Sequence, residues 1–85
     1  MTMRTNRELM GELNRELADL TARISRGKAA LPSVYENVDA HSGFLLSRQL
    51  MAMEEYARAL GARIDHAQHL AEEEEAAKAA GQFNA

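Results

Sequence analysis

Eighty-five residues make one small domain, and with 16 of the 39 hydrophobic residues being alanine, the chain has few large side chains from which to build a core. The absence of cysteine excludes disulfides and thiolate metal sites, and no apolar stretch approaches the ~18 residues of a membrane span or the apolar core of a signal peptide, so a soluble cytoplasmic protein is expected. The net charge of −3 is uneven: residues 1–63 carry nine Lys/Arg against eight Asp/Glu, whereas residues 64–85 carry five acids against Lys78 alone, and without a basic surplus duplex nucleic acid is not an expected partner.

The first periodic stretch runs through Met10, Leu13, Leu17, Leu20, Ile24, Gly27 and Leu31. This 3-4 spacing is a heptad seam with one vacancy at Gly27, and strands have no such period. Thr5 followed three residues later by Glu8 is a capping-box pattern, so the helix is expected to begin there. On its outer face Arg15 with Asp19, and Asp19 with Arg23, are spaced for i,i+4 ion pairs. Leu31-Pro32-Ser33 is the one strong break in the chain. Beyond it, Ser33 and Glu36 repeat the capping-box spacing and could support a single turn around Val34 to Val38.

The second stretch is an unbroken 4-3 series, Leu46, Leu50, Met53, Ala57, Leu60, Ile64, Ala67 and Ala71. Its flank, Leu45, Gln49, Ala52, Tyr56, Ala59, Arg63, His66 and Leu70, widens the apolar stripe near the turn and becomes polar toward the far end. Asp39 is the expected N-cap, with Ser42 as the alternative. After Leu70 there is little apolar surface, although the Glu72 to Glu75 run and the alanines after it favour helix.

These signals predict an all-α fold, an antiparallel two-helix hairpin of coiled-coil type. Helix one is expected over about 6–30, the connector over 31–39, helix two over about 40–77, all within a domain of residues 1–80, and a disordered tail over 81–85. The helices would differ in length, leaving helix two overhanging beyond about His66, and that mismatch together with the small core predicts a homo-oligomer.

Chemistry-bearing positions fall into three groups. At the hairpin tip, Arg26 and Lys28 would gather beside the backbone amides of Ser42 and Gly43 and the ring of Tyr35, an outline of an anion or nucleotide site. The plainer reading is that the cations complement the helix dipole and Gly43 eases a turn. Gln49, Met51, Tyr56, His66 and Leu70 are candidate oligomer or partner contacts. His66 and His69 share a helix face near Asp65, Glu72 and Glu73, yet two histidines are not a metal site, and neither a metal nor another cofactor is expected. With no cysteine nucleophile, no Gly-x-Ser-x-Gly elbow and no phosphate-cradling glycine loop, the chain reads as a non-enzyme.

Leu45-Leu46-x-x-Gln49-Leu50-x-Ala52-Met53-x-x-Tyr56-x-x-x-Leu60-x-x-Arg63-Ile64, preceded by Glu12-Leu13, Glu16-Leu17, Leu20 and Ile24, resembles small helical-hairpin proteins of bacteriophages and prophages, the crAss-phage-related family, over about residues 8–67. Gln49-Leu50, Ala52-Met53 and Tyr56 are its most specific elements; the connector Lys28 to Tyr35 departs from the charged stretch usual there. Phage hairpins of this scale are similar to anti-defence proteins, including oligomeric sponges that sequester cyclic nucleotide or cyclic ADP-ribose signals. The resemblance therefore implies antagonism of a host defence by stoichiometric binding, in the host cytoplasm, with a nucleotide second messenger or a host defence protein as partner. A helical assembly or chaperone module, or an inhibitor of a protein target, is the alternative.

Overall fold

A computed structural model describes residues 4–83, which form two α-helices, α1 (Asn6–Asn37) and α2 (Ala40–Phe83). The Thr5 hydroxyl oxygen accepts the Glu8 N–H at 3.0 Å, which starts α1 where the capping pattern places it. Asp39 caps α2: one carboxylate oxygen accepts the Ser42 N–H at 2.6 Å and the other accepts the Ser42 hydroxyl at 3.1 Å. Only Val38 and Asp39 separate the helices, so the chain reverses in two residues and α1 and α2 pack antiparallel. The hairpin measures 70 × 22 × 18 Å. Among the described residues no helix is long and apolar enough to cross a membrane.

Both heptad series face inward along their whole length. Leu13, Ile24, Leu50, Leu60, Ile64, Ala67 and Ala71 are buried, and Met10, Leu17, Leu20, Leu31, Leu46, Met53 and Ala57 are half-buried between them. The centre is Leu60, 1% exposed, against Leu13 and Ile64 with Leu9, Leu17 and Leu20 around them. The vacancy at Gly27 is filled from the other helix: a methyl group there would lie 2.5 Å from Leu50 Cδ2. Near the turn Gly43 has the same role, with the Tyr35 ring lying where its side chain would be. Small residues at the contact let the two backbones approach, as ridge-into-groove packing requires.

Three expectations need correction. Helix one does not stop at residue 30 but runs through Pro32 to Asn37. A proline inside a helix costs about 3 kcal/mol, but helix here continues the seam through half-buried Leu31 and Val34 and lays Tyr35 on Gly43. Burial of that kind contributes up to roughly 1.5–3 kcal/mol per large apolar side chain, enough to offset the break. Ser33 and Glu36 consequently start no new helix; the Ser33 hydroxyl oxygen instead accepts the Asn37 side-chain amide at 3.0 Å.

Helix two outlasts residue 77 and reaches Phe83, because Ala76, Ala77, Ala79 and Ala80 surround Lys78 with strong helix formers. Of the tail expected to be disordered, residues 81–83 are therefore helical, while residues 84–85 lie outside the described residues, as do Met1 and Met3. The helices also stay paired beyond His66. Asn6 Nδ2 donates to Glu74 Oε1 at 2.7 Å, and Arg7 grips Glu75 with two bonds, Nε to Oε1 at 2.9 Å and Nη2 to Oε2 at 3.1 Å. Ala67 and Ala71 leave room for the first turn of α1 to pack there, so the overhang begins only after Glu75.

That fork holds the Glu75 carboxyl below the ordinary carboxylate value, first through the hydrogen bonds and then through the guanidinium charge. A lowered folded-state value contributes stability above the unfolded value, and the contribution is lost as pH falls through the folded one. Because the pair is solvent-exposed, it tunes the open end of the hairpin rather than its global stability.

Leu60→Ala should destabilise the hairpin by about 2–5 kcal/mol in denaturant titrations followed by circular dichroism, whereas Met51→Ala on the outer face should change it by under about 0.5 kcal/mol. Leu60→Asp should abolish the helical signal, since a buried unpaired carboxylate costs a large part of a total near 0.1 kcal/mol per residue.

Candidate functional site

The flank beside the α2 seam leaves a groove. Glu16, Asp19, Leu20 and Arg23 rise from α1, and Gln49, Ala52, Met53 and Tyr56 from α2, around an open volume of about 570 Å³. That is the size of a small-molecule site. Helical periodicity brings the two sets together: 16, 20 and 23 recur on one face of α1, and 49, 52 or 53 and 56 on the facing flank of α2. Leu20 and Met53, both half-buried, form the floor, and the space exists because Ala52 is too small to fill it.

One end of the groove is tied by a side-chain bond. The Tyr56 hydroxyl donates to Glu16 Oε1 across the helices. Donation to a carboxylate favours the neutral phenol and raises the Tyr56 pKa above its ordinary 10.0; burial and the Glu16 charge push the same way, and Arg63 opposes them. Tyr56 as a whole is 47% exposed, and it borders the groove while its hydroxyl is anchored. At the other end stands Arg23, exposed, with no ion pair among the described residues. The spacing of Arg15, Asp19 and Arg23 suggested surface pairs; neither forms, and Asp19 and Arg23 both line the groove.

A second, smaller groove of about 280 Å³ continues along the same flank of α2. His66 and Leu70 line it with Arg63 and Ala62, opposite Asn6 and Leu9. Of the candidate contact residues, Gln49 and Tyr56 therefore belong to the first groove and His66 and Leu70 to the second. Met51 belongs to neither and stands 68% exposed. Among the described residues no group of three or more His, Cys, Asp or Glu side chains is arranged to hold a metal; His69 Nε2 instead lies 3.1 Å from Glu73 Oε1.

The convergence expected at the hairpin tip does not form. With α1 continuing to Asn37, Arg26 and Lys28 lie nine and seven residues before Tyr35, roughly 13 and 10 Å from it along the axis and farther still from the turn. Lys28 Nζ pairs with Glu54 at 2.9 Å, and Arg26 is exposed on the shaft. The amides at the start of α2 are already satisfied, Ser42 N–H by the Asp39 carboxylate and Gly43 N–H by the Asp39 carbonyl at 3.2 Å. The Tyr35 ring packs on Gly43. What the tip does expose is Phe44, whose ring stacks near His41 at 6.3 Å and carries the Arg48 guanidinium 5.9 Å from its centroid.

Glu16, Asp19 and Arg23 were missed as site residues because their spacing is also that of an ordinary solvated helix face. Only the opposing α2 flank, with alanine at 52, turns that face into a wall.

The sequence model of one protein family matches residues 8–66, more than half of the chain. The chain belongs to the Sequestin family. Sequestins are phage anti-defence proteins that sequester signalling nucleotides; they bind rather than catalyse. No curated protein and no solved structure matches the chain. The matched span contains every residue of the larger groove and ends at His66, inside the smaller one, so the Sequestin pattern covers most of the paired shaft and leaves out its open end with the acidic run of α2.

In a Tyr35→Phe background, where Tyr56 is the remaining tyrosine, absorbance titration should place its phenol above 10.0, and Glu16→Gln should move it back toward that value. The raised folded-state value gives stability that is present below the unfolded tyrosine value and lost as pH rises through the folded one.

Proposed function

We propose that this Sequestin antagonises a host antiviral defence by stoichiometric binding of a cyclic nucleotide or cyclic ADP-ribose type signal, and that the signal sits in the Glu16 to Tyr56 groove. The observation that carries the reading is the coincidence of the family-matched span with a groove that joins an aromatic ring, an apolar floor and an arginine with no ion pair among the described residues. Each part has a physical role. Tyr56 offers a π-face for a base, Leu20 and Met53 exclude water beneath it, Gln49 can both donate and accept, and the planar Arg23 fork suits phosphate oxygens. Holding the ligand is sufficient for inhibition, so no nucleophile or general base is required. A protein present at about a hundred times its Kd leaves on the order of 1% of the signal free.

A groove open to water on one hairpin binds weakly, and the reading includes assembly into a homo-oligomer. Leu45, Ala52, Tyr56 and Ala59 lie exposed along one flank, with half-buried Leu70 at its end, a stripe wide enough to pack against a second copy and close the groove. Light scattering at micromolar concentration should give a mass at least twice that of the 85-residue chain; a folded monomer refutes this part.

Calorimetry with cyclic dinucleotides, cyclic trinucleotides and cyclic ADP-ribose isomers should show at least one tight, saturable partner. Arg23→Ala and Tyr56→Ala should each weaken it by tenfold or more, with thermal stability nearly unchanged for Arg23→Ala. Arg26→Ala combined with Lys28→Ala should leave binding within a few-fold; abolished binding there returns the site to the hairpin tip, with Tyr35, Ser42 and Gly43. If no member of the panel releases heat, inhibition of a protein target takes over. The first surface to test is then the outer stripe of exposed Met51 beside Ala62 and the Glu55–Arg58 pair, closed at 2.6 Å.

A further inference from the structure

Ligand polarity in the groove follows from where its charges stand. Glu16 and Asp19 are one turn apart on α1, Arg23 is one turn beyond Asp19, and all three line the same groove. Glu16 therefore lies about 10 Å along the axis from Arg23, roughly the length of a nucleotide. An ionised carboxylate only accepts hydrogen bonds, and a guanidinium only donates them. Phosphate oxygens are thus drawn to the Arg23 end and repelled from the other.

At the acidic end Glu16 Oε1 is occupied by the Tyr56 hydroxyl, which holds the side chain in place. Its second oxygen and the Asp19 carboxylate have no protein donor among the described residues. We infer that this acidic end reads a paired-donor edge on the ligand, two adjacent N–H or O–H groups, and rejects edges that present an acceptor there. The inference rests on the groove being the nucleotide site.

Two ligand chemistries carry such an edge. Guanine presents its ring N1–H beside the exocyclic amine, and a ribose with free 2′- and 3′-hydroxyls presents a diol. Cyclic di-AMP has neither, because its adenines place an acceptor nitrogen beside the amine and its 3′-hydroxyls are esterified. The larger groove is thereby expected to take a guanine-containing cyclic dinucleotide or a cyclic ADP-ribose, and to exclude the all-adenine cyclic dinucleotide.

The test is calorimetry of the full chain with three probes, cyclic di-GMP, cyclic ADP-ribose and cyclic di-AMP. At least one of the first two should bind roughly ten- to hundredfold more tightly than cyclic di-AMP, the discrimination a two-point hydrogen-bonded edge supplies. Binding of cyclic di-GMP identifies the base edge, and binding of cyclic ADP-ribose identifies the diol. Asp19→Asn, which replaces an acceptor by a group that also donates, should compress the preference to within a few-fold while helicity stays intact, because Asp19 is exposed; Glu16→Gln should do the same and release the Tyr56 phenol in parallel. Cyclic di-AMP binding as tightly as the better of the other two, or an unchanged ranking in Asp19→Asn, overturns the inference and leaves sequestration standing. Absence of binding by all three probes, against a cyclic trinucleotide that does bind, overturns it as well. If the trinucleotide also fails, the sequestration reading falls with it.

Discussion

Everything in this hairpin depends on one narrow apolar seam held closed over nearly the full length of α1. With Leu60 as its most buried side chain and alanines at 57, 67 and 71, the seam has little area per turn, and it is stable only if the helices approach closely throughout. Gly27 beneath Leu50 and Gly43 beneath Tyr35 permit that approach at the turn end. Ala67 and Ala71 permit it at the open end, where the Arg7–Glu75 fork and the Asn6–Glu74 bond add polar closure at the surface. The same demand for contact carries α1 through Pro32, since stopping at the proline would forfeit Leu31, Val34 and the Tyr35 packing.

A seam this narrow leaves the flanks out of the core. On a broader interface, Gln49, Ala52 and Tyr56 would be buried between the helices; here they border an open groove whose far wall is a polar row of α1. The groove is thus a by-product of packing two helices along a heptad stripe, and its chemistry comes from what sits beside the stripe. One end is acidic and anchored by the Tyr56–Glu16 bond, the other carries Arg23, which forms no ion pair among the described residues, and the floor is apolar. The Sequestin match spans this part of the chain, and sequestration, the role of that family, requires no catalytic group.

Local sequence by itself determined the elements and their inward faces. Every heptad position from Met10 to Leu31 and from Leu46 to Ala71 is buried or half-buried, because a 3-4 apolar spacing has only one way to leave water in a two-helix chain. Thr5 and Asp39 were legible as caps because capping depends on the few residues that follow them in the chain. The Gln49 to Tyr56 pattern was legible as more than a seam, and both of those residues line the larger groove.

Only the tertiary structure decided where helix one ends, how far the pairing runs and which charges face one another. Pro32 is a breaker by local propensity, and the packing energy that overrides it is carried by the other helix. Arg26 and Lys28 come close to Ser42 and Gly43 only if residues 31–39 form a connector between the helices; as a continuation of α1, residues 31–37 extend the shaft and keep the cations off the turn. Glu16, Asp19 and Arg23 have the spacing of any solvated helix face, and no local signal separates a wall of a groove from an exposed side. Their role is set by what stands across from them, a small Ala52 and an anchored Tyr56 about thirty to forty residues away in sequence, and a relation between distant residues exists only once the chain has folded back on itself.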